Sequence, residues 1–272
     1  MPSPVFAQII VVIRFSYVAS SGFRVNKLSE REVRAQLYAD ARMARRFAMF
    51  EALTLPALRA QSDQDFTTVV LIGDDFPAGW RARLESLLHK LDDGRVVALP
   101  PQGNYGATKA ALTKCLDDKA THVVSMRLDD DDALSRDCIA ETRRMVPLLH
   151  QISGVNIPAV IAFNKGLFLE MGPEDNQLYG VVEKLPLGIG MSMVAPRDAR
   201  PTIFSLDHRQ VHTRFNCYTD GVTPRFIRTV HRDNDSAGFA SGRRIDFTEA
   251  ELDKLLAKSF PFTRPELLSL RP

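Results

Sequence analysis

Residues 121–132 read THVVSMRLDDDD, an apolar run with β-branched residues that passes without a turn signal into four consecutive aspartates. The segment from Thr121 to Leu128 reads as a buried strand. Asp129, Asp130, Asp131 and Asp132 then fall at its end. Four adjacent carboxylates repel one another and raise each other's pKa unless a cation or a helix dipole offsets them. Helix capping needs fewer acids, and the next helix signal comes near Ser135. A calcium loop of the EF-hand type needs glycine at its sixth position, where this chain has Leu134. The reading that remains is a hard-cation site at a strand terminus. Alternate residues Asp129 and Asp131 would reach one ligand while Asp132 supports them, and Mg²⁺ or Mn²⁺ suits a few carboxylates completed by phosphate oxygens.

The segments before this stretch repeat its style. Ile9 to Phe15 (IIVVIRF), Phe66 to Ile72 (FTTVVLI) and Arg95 to Leu99 read as further strands. Between them, Ser29 with Glu32 forms a capping box that opens a long helix or helix pair, which Pro56 should end or kink. Helices are also expected over Trp80 to Leu91 and from Ala107. Strands alternating with helices imply a parallel sheet, and ligands of such sheets sit beyond the carboxyl ends of the strands. That rule groups Ser16, Asp74 and Asp75 with the four aspartates. From about Leu148 the pattern changes to short strands, at Ala159 to Phe163, Gly166 to Met171, Leu178 to Leu185 and Gly190 to Val194, and this half reads as antiparallel. Helix signals return at His208 to Arg214 and at Thr248 to Ser259, the latter opened by the capping box of Thr248 and Glu251.

Composition narrows the function classes. With 272 residues, 45% apolar and 25% charged, the chain has ordinary globular usage. Lys plus Arg (35) against Asp plus Glu (33) leaves a formal charge of +2, too balanced for a nucleic-acid binder held by wholesale phosphate neutralisation. Cys115, Cys138 and Cys217 are widely spaced and encode neither a disulfide framework nor a zinc knuckle, so a reducing cytoplasm is the expected location. The apolar run from Val5 to Ile13 falls short of the roughly 20 residues that span a bilayer, and it lacks the flanks of a secretory signal. Arg24, Lys27, Arg31, Arg34, Arg42, Arg45 and Arg46 concentrate positive charge early in the chain. They read as a solvated helix face, with peripheral contact to the inner membrane surface or to an anionic acceptor as the sharper alternative. His208 and His212, four apart on a helix, lack a third ligand for zinc.

Several ordered segments resemble the GT-A glycosyltransferases. Leu55 to Asp75 (LPALRAQSDQDFTTVVLIGDD) is similar to the family-two pattern of a helix, an aromatic residue, an apolar strand and paired aspartates. Gly103 to Ala133 (GNYGATKAALTKCLDDKATHVVSMRLDDDDA) is similar to N-x-G, a helix, an apolar strand and D-x-D-D. More narrowly, Arg14-Phe15-Ser16-Tyr17, Arg46 to Leu58 (RFAMFEALTLPAL), RLDDDDAL and Thr229 to Ser236 (TVHRDNDS) resemble a rhamnosyltransferase group. The resemblance implies an α/β GT-A fold over residues 1–272, with a nucleotide-sugar-binding half at 1–135 and an acceptor-binding half at 136–272. It implies transfer of a sugar, rhamnose or another hexose, from a UDP-, dTDP- or GDP-linked donor to a hydroxyl of a glycan, lipid or small molecule.

Residue by residue, the same resemblance implies that Asp129 contacts ribose or metal and that Asp131 coordinates Mn²⁺ or Mg²⁺, with His231 against the metal or diphosphate. It puts Asp74, or its neighbour Asp75, beside the nucleobase. Arg14, Ser16 and Asp130 join the nucleotide-sugar site. Asn104, Gly106 and Lys109 line its pocket, where lysine replaces the commoner arginine and so a point charge replaces a fork. Arg232, Asn234 and Ser236 could bond phosphate oxygens. The general base falls to Asp207, in Ser205-Leu206-Asp207-His208, with Glu174-Asp175 as the alternative, and Asp132 is the second catalytic candidate. Rival readings are a nucleotidyltransferase, a nucleotide-sugar hydrolase, or a non-catalytic nucleotide-sugar-binding module. A nucleotidyltransferase should carry a glycine-rich loop directly after the first strand, where this chain has Arg14-Phe15-Ser16-Tyr17.

Overall fold

A computed structural model of the chain describes residues 5–19, 29–231, 234 and 242–271. Its first half alternates as the sequence pattern demands. Strand β1 (Ala7–Arg14) is followed by helices α1 (Glu30–Leu37), α2 (Asp40–Met49) and α3 (Leu55–Arg59), strand β2 (Thr67–Gly73), helix α4 (Ala78–Leu88), strand β3 (Gly94–Leu99), helix α5 (Asn104–Lys114) and strand β4 (His122–Leu128). The second half runs β5 (Ala133–Leu134), α6 (Cys138–Ser153), β6 (Ala159–Phe163), β7 (Lys165–Met171), β8 (Asn176–Val182), β9 (Ser192–Pro196), β10 (Asn216–Asp220), β11 (Phe226–Val230), β12 (Arg243–Ile245), α7 (Glu249–Ser259) and α8 (Arg264–Ser269). The capping boxes expected at Ser29 and Thr248 both form.

Among the described residues the strands build a seven-stranded sheet in the order β10-β6-β9-β4-β1-β2-β3 and a five-stranded sheet in the order β12-β8-β7-β11-β5. β1 lies parallel between β2 and β4, and β2 is parallel to β3. The expected antiparallel second half forms among the strands it named, β6 with β9 and β7 with β8, and two further strands, β10 and β11, add parallel pairs. β6 and β10 pair in parallel, and β9 alone runs against its neighbours β4 and β6 in the large sheet. Both halves of the chain therefore share one sheet. Side-chain alternation on β1 explains why both faces are covered: Ile9, Val11 and Ile13 meet Met43, Phe47 and Phe50, while Ile10 and Val12 share a core with Ala107, Ala111 and Leu112 of α5. A third core joins Leu167, Leu169 and Ile227 of the small sheet to Met49 and Leu53 and to Leu252 and Leu256 of α7.

Several elements depart from expectation. Pro56 does not end its helix. A π turn over Phe50–Thr54 shifts the hydrogen-bond ladder, the Leu55 N–H bonds to the Phe50 carbonyl, and Pro56 then occupies the first turn of α3, where a missing N–H costs nothing. Helix α5 starts at Asn104, ahead of Ala107. β9 starts at Ser192, after Gly190, whose φ of +68° is the left-handed conformation that interrupts a strand. The helix expected at His208 to Arg214 is a 3₁₀ segment, His208–Thr213.

Gly166 marks a close approach between β7 and β11, because a Cβ there would run into the ring and the backbone carbonyl of Phe226. Gly166→Ala is expected to lower stability by about 1–3 kcal/mol in urea unfolding, the usual cost of overpacking.

Candidate functional site

Parallel strands β1, β2, β3 and β4 finish on one edge, so the polar residues that follow them are neighbours. Arg14, the last residue of β1, donates from Nη1 to Oδ1 of Asn104 at 3.0 Å, and Asn104 opens α5. Ser16 has φ of +50°, a conformation that costs a non-glycine residue about 1–2 kcal/mol. Its hydroxyl accepts from Arg42 Nη1 at 3.0 Å. Tyr17 donates its hydroxyl to the Pro100 carbonyl at 2.6 Å and accepts the Gln102 N–H at 3.2 Å, which ties the β1 loop to the β3 loop. The alternatives Asp74 and Asp75 differ in what they touch. Asp75 is held by Arg34 and by the Tyr38 hydroxyl. Asp74 is exposed and, among the described residues, its carboxylate has no hydrogen-bond partner.

The four aspartates meet four different environments. Asp129 is exposed, whereas Asp130, Asp131 and Asp132 are 0%, 4% and 4% exposed. Their counter-ion is Arg46, itself 7% exposed. It arrives from α2, whose inward stripe is Met43, Arg46, Phe47 and Phe50, the spacing of one helix face. Arg46 engages both oxygens of Asp130, with Nε at 2.8 Å from Oδ2, and reaches Asp131 Oδ2 from Nη1 at 3.1 Å. The same Asp131 oxygen lies 3.0 Å from His231 Nε2 and 3.3 Å from Asn234 Nδ2. Burial alone would push the Asp131 carboxyl up, but Arg46 and His231 hold it below the ordinary carboxylate range.

Asp132 is the opposite case. Burial, and then the charges of Asp131 and Asp129, push its carboxyl well above the ordinary range. Its Oδ1 accepts the Thr229 N–H at 3.0 Å, and the Thr229 hydroxyl returns to the Asp131 carbonyl at 2.8 Å. Thr54, in the π turn, donates to the Asp132 carbonyl at 2.9 Å. Asp132 thus fastens the acidic loop to β11, and at 4% exposure its carboxyl is shielded from direct approach by an acceptor hydroxyl. Asp130, with both oxygens on Arg46, faces no open space.

Across the edge from this cluster stands Arg127, the penultimate residue of β4. It lies within electrostatic reach of Asp129, Arg14 and Asp207. Asp207 accepts the Arg209 N–H at 2.8 Å as N-cap of the 3₁₀ segment, and its side chain is 59% exposed. His208 Nδ1 is 3.8 Å from the Asp207 carboxylate, and burial followed by Arg127 brings its pKa down to about 4. Lys109 donates to the Arg200 carbonyl at 3.0 Å, and Gly106 is exposed beside Gln102. A cavity of about 290 Å³ opens beside Leu206, lined by Tyr105, Arg200 and Arg214 among others. Glu174 and Asp175 are exposed at the β7–β8 hairpin tip.

The structure thus brings Arg14, Asn104, Asp129, Asp131, Asp207 and His231 to one edge of the fold. It does not bring Asp129, Asp131 and His231 into a three-ligand set. Among the described residues no group of three or more His, Cys, Asp or Glu side chains is arranged to hold a metal ion. Sequence reading missed Arg46, assigned there to a solvated face. The available signal was a charge on the apolar stripe of a helix, in a chain whose four aspartates need a cation. Arg127, Thr54 and Thr229 carried no such signal. Within the basic region Arg42 and Arg46 bond inward, to Ser16 and Asp130, while Arg34 pairs with Asp75 at the surface. Arg24, Lys27, Arg232 and Ser236 lie outside the described residues. Among the described residues no helix is long and apolar enough to cross a membrane.

A family profile described as "Putative rhamnosyl transferase" matches residues 8–243, a span that contains every residue of this edge. The chain belongs to that family. No curated protein matches this rhamnosyl transferase family member in sequence. Among solved structures it is similar to S. aureus TarS 1-349 in complex with UDP, at 12% identity and a TM-score of 0.42, covering 82% of this chain and 60% of that one. It is similar to S. aureus TarS at 13% identity and a TM-score of 0.43, covering 95% of this chain and 44% of that one. A further similarity is to 4-diphosphocytidyl-2C-methyl-D-erythritol synthase from Anaerococcus prevotii, at 13% identity and a TM-score of 0.36, covering 92% and 97%. The chain thus spans less than two thirds of the TarS chains it matches.

Two variants test how the acidic loop of this family member is held. Arg46→Met leaves Asp130 buried without its partner, and a loss of about 3–5 kcal/mol is expected in urea unfolding. Asp132→Asn keeps an acceptor for the Thr229 N–H and removes a titrating group. Because the folded pKa of Asp132 is raised, its stabilising contribution is complete below the unfolded value, 3.8, and declines as pH rises toward the folded one. The melting temperature of the variant should therefore match wild type in acid and exceed it increasingly toward pH 8.

Proposed function

We propose that the chain is a glycosyltransferase that moves a sugar from a nucleoside diphosphate to an acceptor hydroxyl, with Mn²⁺ or Mg²⁺ held between Asp131 and His231. The observation that carries this reading is the 3.0 Å separation of Asp131 Oδ2 and His231 Nε2 at the carboxyl end of β4. Two donors bound side by side in an octahedron with bonds of about 2.1 Å stand roughly 3 Å apart. The pair would therefore suit a hard divalent ion whose remaining positions are filled by phosphate oxygens and water. When bound, such an ion would offset the charge that grows on the leaving diphosphate.

The chain's own residues supply the rest. Arg14, steadied by Asn104, presents a guanidinium to the diphosphate. Asp74, the aspartate left without a partner after β2, faces the nucleoside, and the strained Ser16 turn brings the β1 backbone up to it. Arg46 holds the acidic loop at a constant shape by neutralising Asp130. Asp207 takes the proton from the acceptor hydroxyl as the new glycosidic bond forms, a role open to an exposed carboxylate in this position. His208, 3.8 Å from that carboxylate, is neutral down to about pH 4 and so adds no second positive charge beside it. The donor is UDP-, dTDP- or GDP-linked, and its sugar is rhamnose or another hexose.

Melting curves with UDP, dTDP and GDP, with and without Mn²⁺, test the donor reading. One nucleotide should raise the melting temperature in the presence of the ion, because a ligand at 100 times its Kd adds about 2.7 kcal/mol to folding. Asp131→Asn and His231→Gln should lose that dependence on Mn²⁺. In turnover, Asp207→Asn keeps the helix cap and should cut kcat by about 10²–10⁴ with little change in donor KM. Nucleoside diphosphate released without acceptor would instead mark a hydrolase.

A further inference from the structure

The small sheet presents its two faces to different surroundings. Leu167, Leu169 and Ile227 point to α7, while Phe168, Tyr179 and Phe226 belong to the core on the other side. On that second face a row of side chains crosses four strands: Arg228 on β11, Phe168 on β7, Tyr179 on β8 and Arg244 on β12. Arg228 pairs in register with Phe168, and Phe168 with Tyr179. The Arg228 guanidinium carbon lies 5.4 Å from the Phe168 ring centroid, the two rings are 6.0 Å apart, and Arg244 stands 3.9 Å above Tyr179. The rings are buried, at 0% and 8% exposure, whereas Arg228 is half-buried and the Arg244 side chain 52% exposed, so solvent reaches the row at its cations.

Those cations are weakly engaged. Among the described residues Arg228 makes no hydrogen bond or ion pair, and the acid that feels its charge is Asp132. Arg244 bonds Asp246 at 3.1 Å, in a pair whose side chains are 52% and 86% exposed and which a ligand can displace easily. Two further acids are near: Glu170, which accepts from the Tyr179 hydroxyl at 3.3 Å, and buried Glu183, within electrostatic reach of the same hydroxyl. A guanidinium seated on an aromatic ring is pre-oriented, and its N–H groups match phosphate and carboxylate oxygens in pairs. The row also starts at the reaction edge, since Thr229, next to Arg228, is bonded to Asp131 and Asp132.

We propose that Arg228 and Arg244, seated on Phe168 and Tyr179, form an acceptor subsite that selects acceptors bearing a phosphate or carboxylate group. The proposal rests on the glycosyltransferase reading for the word acceptor, but the binding preference can be measured without turnover. Glucose, glucuronate and glucose 6-phosphate are titrated calorimetrically into the full chain, with Mn²⁺ and a saturating nucleoside diphosphate filling the donor site. At least one anionic sugar should bind about ten-fold or more tightly than glucose, and which one does so separates carboxylate from phosphate recognition. R228Q and R244Q should each weaken that preference and the double variant should erase it, with nucleotide affinity and the far-UV spectrum unchanged. Equal binding of all three sugars to wild type, or a preference that survives in the double variant, overturns the subsite. If no nucleoside diphosphate binds, the donor reading fails by itself, and the same titration without nucleotide still decides the anion preference.

Discussion

A buried arginine on a buried aspartate organises this protein. Arg46 can sit on the inward stripe of α2 only because Asp130 meets it with both oxygens, and the loop after β4 can turn inward only because Arg46 is there. Removing two charges from water carries a desolvation cost of several kcal/mol per ion, which attraction offsets only with good geometry and satisfied hydrogen bonds. The fork supplies both. Two further bonds, from Thr54 and Thr229, then lock the loop to the π turn and to β11. Helix, loop and small sheet are thereby set relative to one another by one cation.

That arrangement differentiates four residues that are chemically identical in the sequence. Asp130 becomes a counter-ion. Asp131 stays ionised because Arg46 and His231 outweigh its burial, and Asp132 is pushed toward its neutral form because it has neighbours of its own sign. Asp129 keeps its contact with solvent. Environments that drive the pKa values of adjacent acids apart are a usual means of dividing roles within a site. Here the division leaves one exposed acid and one ionised acid facing the edge where the strands end.

The edge draws on both sheets. The ends of β1 and β2 and the start of α5 contribute Arg14, the Ser16 turn, Asp74 and Asn104, while β11 carries Arg228 and leads directly into His231. The left-handed backbone at Ser16 and the π turn at Phe50–Thr54 are irregular features bonded to this edge or to its arginines, as is left-handed Gly190, whose N–H bonds to the Arg127 carbonyl.

The amino-acid sequence by itself determined the alternating strands and helices of the first half, the two capping boxes and the position of the acidic run at a strand end, since each depends on neighbours within one element. Through a resemblance to a family it also pointed to Asp131 for a metal and to His231 for that metal or the diphosphate. It could not place β6, β9 and β10 in the same sheet as β1, because strand pairing depends on residues far apart along the chain and short alternating runs look alike in either direction. Nor could it separate the four aspartates or lift Arg46 out of a run of arginines. Those outcomes depend on which carboxylate is deprived of water and which guanidinium lies within reach, and only the folded chain decides that.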